Sequence, residues 1–388
     1  MHPEYDAAVL GGGPVGLAAA LLLARQGLRV MLCEPRTPTP VSQENPPSPQ
    51  VLALSLSSIS LLAQIEAWSS IPEHRICSFL EMQVWGKNRG RLRFHAGELP
   101  ADALGAVVET PWLHQALWQA MKRHVGVHHH AANAAFEPDR GPAVRTDHGL
   151  VRARLVVMTD GLLSRNRARA RIPWMWHGYG ELALQAILQP TMPHKQVARQ
   201  WFTEEGPLAL LPLAGNKVAM VWSLAAHHAQ QIMALPETAF CPLVSKASQW
   251  SLGAVSLCSE RLVQPLACAM ALPGSLPGVV PLGDAAHGIH PLAGQGVNLG
   301  FGDAAALAAC IVQGRSKGLE CGDALVLREY HSHRLWQQGS MVAACHGLHA
   351  IFSSPMAPWA GWGLEAVNQL SPLKRFLART ASGRPTFR

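Results

Sequence analysis

The chain is short of the side-chain machinery that most hydrolytic and metal-dependent enzymes display. It contains no H-E-x-x-H pair, no G-x-S-x-G elbow and no C-x-x-C pair, which sets aside zincin, α/β-hydrolase and thioredoxin-like chemistry. The 8 cysteines are scattered without metal-ligand spacing, a pattern that suits a reducing compartment better than a disulfide scaffold. His128, His129 and His130 are adjacent. On a strand they alternate between faces and cannot converge on an ion, so no metal is expected. The longest apolar run, Val15–Ala24, is too short to cross a bilayer. The lead-in to the first motif is acidic and poor in apolar residues, which is wrong for an export signal; a cytoplasmic protein is expected. Basic residues outnumber acidic ones, for a formal net charge of +7. No basic run alternates with aromatics, so nucleic acid is not the expected partner. The excess charge suits acidic partners or an anionic membrane surface. Charged residues are only 15% and apolar ones 48% of the 388, enough for a globular chain of two domains, or one large domain with an insertion.

What the chain does have is glycine at ordered spacing. Tyr5–Glu34 reads as strand, tight turn, buried helix, strand. Gly11, Gly13 and Gly16 fill G-x-G-x-x-G, Pro14 sits where a first helical turn accepts proline, and Val15 begins an almost wholly apolar helix. In a dinucleotide site one glycine makes the turn, one admits a pyrophosphate and one lets the helix pack on the strand. The helix N-terminus then faces the phosphates. Glu34, closing the second strand, can accept hydrogen bonds from ribose hydroxyls. The motif alone does not separate FAD from NAD. Pro35 to Gln50 is a proline-rich loop, either a cover over a cofactor or plain surface.

Further along, a helix is predicted from about Ser57, strands within Phe79–Phe94, an amphipathic helix over Trp112–His124, and strands at Val125–His130 and Val151–Met158. From Gln185 to Leu272 the texture is β-like, as in an inserted mixed sheet, and Val279–Ala309 returns to α/β texture. Two more motifs stand at strand ends, where ligands bind in such folds. Val156–Arg167 places Asp160-Gly161 after a strand, followed by Ser164 and Arg167. Val279–Asp303 leads through Gly283-Asp284 to Gly294, Gln295, Gly296, Val297 and Asn298, which open a helix. The N–H groups of that turn could meet a phosphate or a flavin pyrimidine ring.

In this order the three motifs resemble those of the class A flavoprotein aromatic hydroxylases: an ADP-binding fingerprint, D-G-x-x-S-x-x-R, and G-D-A-A-H-x-x-x-P-x-x-G-Q-G-x-N. Within that family the chain looks most like the ubiquinone-biosynthesis hydroxylases. The likeness rests on Ala53-Leu54-Ser55, on Glu109 with Leu113-His114-Gln115-Ala116-Leu117, on Phe202 leading into Gly206-Pro207, on Val221-Trp222-Ser223 and on Pro372-Leu373-Lys374-Arg375. It implies an α/β fold: an FAD-binding Rossmann-type (glutathione-reductase-like) domain with an inserted α+β substrate domain and a C-terminal helical region. The implied division is 1–75, 106–170 and 276–320 for FAD binding, 76–105 and 171–275 for the substrate domain, and 321–388 for the terminal helices.

By the same resemblance Gly11, Gly13, Pro14, Val15, Gly16, Glu34 and Pro35 hold the ADP half of FAD. Gln50 and Gln115 lie near the pyrophosphate, and Asp160 is the middle-motif acid. Gly283 and Asp284 meet the ribityl chain, and Pro291 with Gly294–Asn298 lines the isoalloxazine. The implied reaction is hydroxylation of the aromatic ring of a polyprenylated ubiquinone precursor through a C4a-hydroperoxyflavin, with O₂ and NAD(P)H or another donor as co-substrates. Gln50 stands where relatives carry arginine, which removes a charge-assisted contact of roughly 1.5–3 kcal/mol. Thr110-Pro111 follow Glu109 where relatives have Asn, often then Arg, and Met158-Thr159 replace small residues.

For the proton on the substrate, His287 and His290 flank the third motif and titrate in the right range, though bracing the loop is an equal role for them. Tyr179 and Trp222 are read as core before pocket. Met341, Cys345, Leu348 and Phe352 share a helical face, and Trp359, Trp362 and further apolar residues follow among basic ones. Both an interfacial helix on the inner face of an anionic membrane and a helix docked on the FAD layer satisfy this pattern. Three other functions stay open: a flavin-dependent reductase of isoprenoid-type substrates, a hydroxylase of a small soluble aromatic, and a degenerate FAD-fold scaffold in a quinone-biosynthesis complex.

Overall fold

The computed structural model describes residues 4–87, 90–98, 101–272, 276–290 and 294–353. The strand Tyr5–Leu10 lies at the centre of a mainly parallel sheet. Val30–Cys33 pairs with it on one side and Gly149–Met158 on the other, so Ala7 faces both Val30 and Leu155. Val127–His130 and Val279–Pro281 extend the parallel set outward. Such strands are covered on both faces, which is why they read as unbroken apolar runs.

One face carries the helices Pro14–Arg25, Thr110–Arg123 and Gly296–Ser316, and their side chains form the largest core with Leu155, Val157 and Val280. The first helix is buried on nearly every side because two other helices flank it. Gly296–Ser316 is, among the described residues, the one helix long and apolar enough to cross a membrane, and half of that window is buried inside the fold.

The second layer is a nine-stranded sheet running from His287–Gly288 through Leu262–Ala271, Trp174–Pro190, Lys217–Ala225, Pro207–Leu213 and Val197–Phe202 to Glu81–Trp85 and Arg91–His95, with Val255–Leu257 paired to the end of Trp174–Pro190. Its longest strand begins at Trp174, ahead of the predicted start of β texture, with a register shift between Gly178 and Leu182. Helices Ala226–Met233 and Glu237–Ala247 cover its outer face and close a second core around Trp222. A third, three-stranded sheet of Val51–Ser55, Gly105–Glu109 and Ile76–Phe79 joins the layers. The helix Ala324–Ser353 then returns along the strand Leu262–Ala271. Leu348 and Phe352 of its predicted apolar face, and the residues from Trp359 onward, lie outside the described side chains. All 8 cysteines are unpaired thiols.

Trp222 is fully buried, and its indole N–H finds no hydrogen-bond partner. Trp222→Ala is expected to cost about 3–5 kcal/mol, whereas Trp222→Phe keeps most of the packing and removes the unmatched donor, so it should cost much less. Urea unfolding of the two variants checks the ordering.

Candidate functional site

The two layers enclose a cavity of about 590 Å³. Gly13, Pro14, Val15 and Gly16 form one wall, with Asp284 and the run Gly294–Val297 beside them; Phe79, Met82, Phe94, Leu211 and Val221 line the far end. Two helix N-termini therefore open into one space. Neither has an acidic residue in its first turn, and neither Gly13 nor Gln295 caps its helix with a side chain. Their free N–H groups and positive dipole ends await an anionic or electron-rich partner. A Cβ at Gly13 would meet nothing within 4 Å, while one at Gly16 would fall 2.0 Å from the Gly11 carbonyl oxygen. The outer glycine thus leaves room for a ligand, and the inner one lets the helix close on the turn.

Glu34 sits beside this turn: its Oε2 accepts from the Gly12 N–H at 2.8 Å. Gly11 packs on the middle motif, where a Cβ would lie 2.6 Å from the Thr159 carbonyl oxygen. The Thr159 hydroxyl donates towards the carbonyls of Leu10 and Gly11 at 3.0 and 2.9 Å, so this departure from the family pattern ties two motifs together. Asp160 spends its carboxylate on Ser164 and Asn166, within its own motif. Arg167 is buried and donates to the carbonyl of Ala285 at 3.0 Å, which fastens the middle motif to the third.

Several predicted residues act as braces. Asn298 Oδ1 accepts from the Ser55 N–H at 2.9 Å and Ser58 Oγ at 2.7 Å, and its Nδ2 donates to Ala53 O at 2.8 Å and Gly294 O at 3.2 Å. Gln115, predicted near a pyrophosphate, accepts from the Val41 N–H at 2.8 Å and holds the proline-rich loop. Glu109 holds the same loop through the Ser48 N–H at 2.7 Å and pairs with Arg75 at 3.1 Å, a cation that no sequence signal marked. The Gln50 carbonyl accepts from Thr110 N at 2.9 Å, and Pro35 is exposed beside Glu34. Pro291 lies outside the described residues. His128 and His130 pack on Tyr5 from one face of their strand, while His129 bonds to the Glu34 carbonyl on the other.

His287 does not reach the cavity. Its Nε2 lies 2.6 Å from Asp303 Oδ2, both side chains fully buried. Asp303 also accepts from Gly283 N at 3.1 Å, Arg334 Nε at 2.8 Å and Gln338 Nε2 at 2.8 Å. Burial would raise the Asp303 carboxyl, but the charge and hydrogen bond of His287, with Arg334, hold it below the ordinary range. His290 is likewise withdrawn: its Nε2 lies 3.2 Å from Glu181 Oε2, and His349 Nε2 is 2.9 Å from Glu181 Oε1. Burial alone would raise Glu181, yet the hydrogen bonds of His290 and His349 bring it down to about 2. Burial outweighs that same bond in lowering His290, so the pair is a carboxylate with a neutral imidazole. Glu181, His290 and His349 bring three donor atoms within 4.8 Å of one another, a grouping that no sequence spacing marked. Among the described lining residues Asp284 is the one ionisable side chain. It faces the open cavity floor, where enclosure by protein pushes its carboxyl up and His287 opposes. Gln185, Gln200 and Gln264 also line the cavity and carried no sequence signal, and Gln185 Oε1 is buried without a partner.

This arrangement, two uncapped helix ends at one largely apolar cavity with Glu34 bonded to the turn before the first of them, is that of a flavoprotein with an enclosed substrate chamber. The chain belongs to the FAD binding domain family of FAD-dependent monooxygenases, whose profile matches residues 4–335. It is 31% identical to the 3-demethoxyubiquinol 3-hydroxylase of Escherichia coli, over 97% of this chain and 98% of that protein. It is 30% identical to the ubiquinone hydroxylase UbiL of Rhodospirillum rubrum, over 97% and 89%. Among solved structures, p-nitrophenol 4-monooxygenase PnpA from Pseudomonas putida aligns with a TM-score of 0.77 at 16% identity, covering 100% of both chains. PqsL of Pseudomonas aeruginosa in complex with 2-aminobenzoylacetate aligns with a TM-score of 0.76 at 21% identity, covering 92% and 99%. The family resemblance and the fold class read from the motifs are borne out.

Asn298→Ala should lower stability by about 2–3 kcal/mol, because it strips partners from buried backbone groups of two segments; thermal unfolding with and without added FAD measures it. Asp303→Asn should cost about 3–5 kcal/mol, because it leaves Arg334 buried without its counter-charge. Since the folded Asp303 carboxyl titrates below the ordinary carboxylate range, its contribution is complete above that range and is lost as pH falls through the folded value. The variant's melting temperature should therefore depend less on pH in that acid window.

Proposed function

We propose that this chain hydroxylates the aromatic ring of a polyprenylated ubiquinone precursor, with O₂ and NAD(P)H or another donor as co-substrates. The observation that carries the reading is the cavity itself: a helix-terminus turn at one end is continuous with a chamber walled by Phe79, Met82, Phe94, Leu211 and Val221. The names of the relatives that match almost end to end support the substrate class.

FAD bound in this site supplies the reducing equivalents and the activation of O₂; the chain's own residues do the rest. Gly11, Gly13, Gly16 and Glu34 hold the ADP half, and the N–H groups after Pro14 meet the pyrophosphate. Asp284 meets the ribityl chain. The turn Gly294–Val297 offers N–H donors where negative charge develops on the reduced ring. The apolar wall excludes water and orients the substrate ring. Gln185 Oε1 accepts the ring hydroxyl, which orients the phenol and shares its proton. No histidine lines the chamber among the described residues, so the amide holds the ring hydroxyl in place by accepting its hydrogen bond and does not take its proton. Delivery of a polyprenyl tail calls for contact with the inner face of the membrane or with a quinone-biosynthesis complex, and the net charge of +7 supports attraction to anionic lipid.

Deleting the gene should accumulate a ubiquinone precursor that lacks one ring hydroxyl, and ¹⁸O₂ should label the hydroxyl of the product. An unchanged quinone pool, or unlabelled product, overturns the reading. Gln185→Leu should leave folding unharmed, since Oε1 is unpartnered in the chain, yet lower kcat/KM by about 10-fold, the worth of one hydrogen bond. Steady-state kinetics with flavin content held equal checks this.

A further inference from the structure

Three segments far apart in sequence meet beside the flavin-side edge of the nine-stranded sheet: Glu181 on the strand Trp174–Pro190, His290 after Gly288, and His349 on the helix Ala324–Ser353. We infer that Glu181, His290 and His349 form a binding site for one divalent transition-metal ion of the zinc type, which fastens the last described helix to the substrate sheet and to the loop of the third motif.

Each carboxylate oxygen faces a different imidazole, at 3.2 Å for His290 and 2.9 Å for His349. Zinc bonds of about 2.0–2.2 Å to nitrogen and oxygen put tetrahedral ligand pairs about 3.3 Å apart, close to the separation between whichever carboxylate oxygen ligates and the imidazole it faces. The remaining edges are at most 4.8 Å, and a modest turn of one ring closes them. His290 is fully buried at its side chain, and Glu181 and His349 are only 18% and 11% exposed, so the ligands lie in a shielded position with little competition from water. Two imidazole nitrogens and one carboxylate oxygen suit zinc and its neighbours rather than calcium or magnesium, which prefer all-oxygen sets. The surroundings also suit ligands of this kind. Tyr179 packs on His349 and His290 at ring-centroid distances of 4.3 and 5.2 Å, and its hydroxyl bonds to His346 Nδ1 at 3.1 Å. That ring closes one side, so a water or Tyr179 itself takes the remaining position.

The test uses the full-length, FAD-loaded protein, stripped with a chelator and then dialysed against ZnCl₂. Elemental analysis should find about one zinc per chain, and the melting temperature should rise with zinc. His349→Gln and Glu181→Gln should weaken zinc binding by at least about 10-fold with flavin content preserved, whereas His346→Gln, beside the site but not in it, should retain one zinc. Should the ligand variants fold poorly, zinc should still protect His349 of the unaltered protein, the accessible histidine of the pair, from diethylpyrocarbonate. Zinc bound equally by all variants, no zinc retained by the unaltered protein, or modification unaffected by zinc would each overturn the site and leave the trio as a hydrogen-bonded brace.

Discussion

The site depends on how closely the first and last helices of the flavin layer approach each other, and that distance is set around one side chain. Val15 sits in a notch between Gly283 and Gly300. A Cβ on Gly300 would come within 2.6 Å of Val15 Cγ2, and one on Gly283 within 3.1 Å of Cγ1. Because neither glycine has a side chain, the helix that follows Gly13 and the helix that follows Gln295 can touch and present their N-termini to the same space. Larger residues would spread the helices and separate the two sets of N–H donors that the cavity brings together.

The glycine motifs were legible because their meaning is local. G-x-G-x-x-G specifies a turn and a helix start within a few residues, and the structure places Pro14 at the start of that helix and Gly296 at the start of the other. Long-range polar groups were not legible. Asp303 meets His287, Arg334 and Gln338, and Glu181 meets His290 and His349, through contacts that no periodicity announces. The histidines beside the third motif drew attention for their chemistry, yet one is bonded to a buried aspartate and the other turns towards a carboxylate outside the cavity. β texture is legible only from Gln185, inside the domain set at 171–275, because Gly178 and Gly180 interrupt the apolar pattern of the strand that begins at Trp174; the structure absorbs that interruption as a register shift. The glutamines of the chamber had no signal at all, since an isolated Gln on a strand reads as an ordinary solvated position.

The placement of charge follows one logic. Apart from Asp284, ionisable groups among the described residues are kept out of the chamber, and two tight clusters behind it gather buried acids with their partners. A dry, neutral chamber suits a reaction in which water must stay away from a reactive flavin. The buried clusters do the mechanical work: Asp303 joins the loop at Gly283 to the last helix through Arg334, and Arg167 joins the middle motif to Ala285.

The Asn298 amide also bears on how the molecule comes into being. It bonds to Ala53 and Ser55, some 245 and 243 positions earlier in the chain. During synthesis at about 5–20 residues per second, the N-terminal strands, helix and turn emerge on the order of tens of seconds before the segment that completes them. Until the ribosome has released that segment, the nascent protein exposes half of a dinucleotide groove and one face of its largest core, so flavin capture belongs to the end of translation, and the unfinished chain is the form most in need of chaperones.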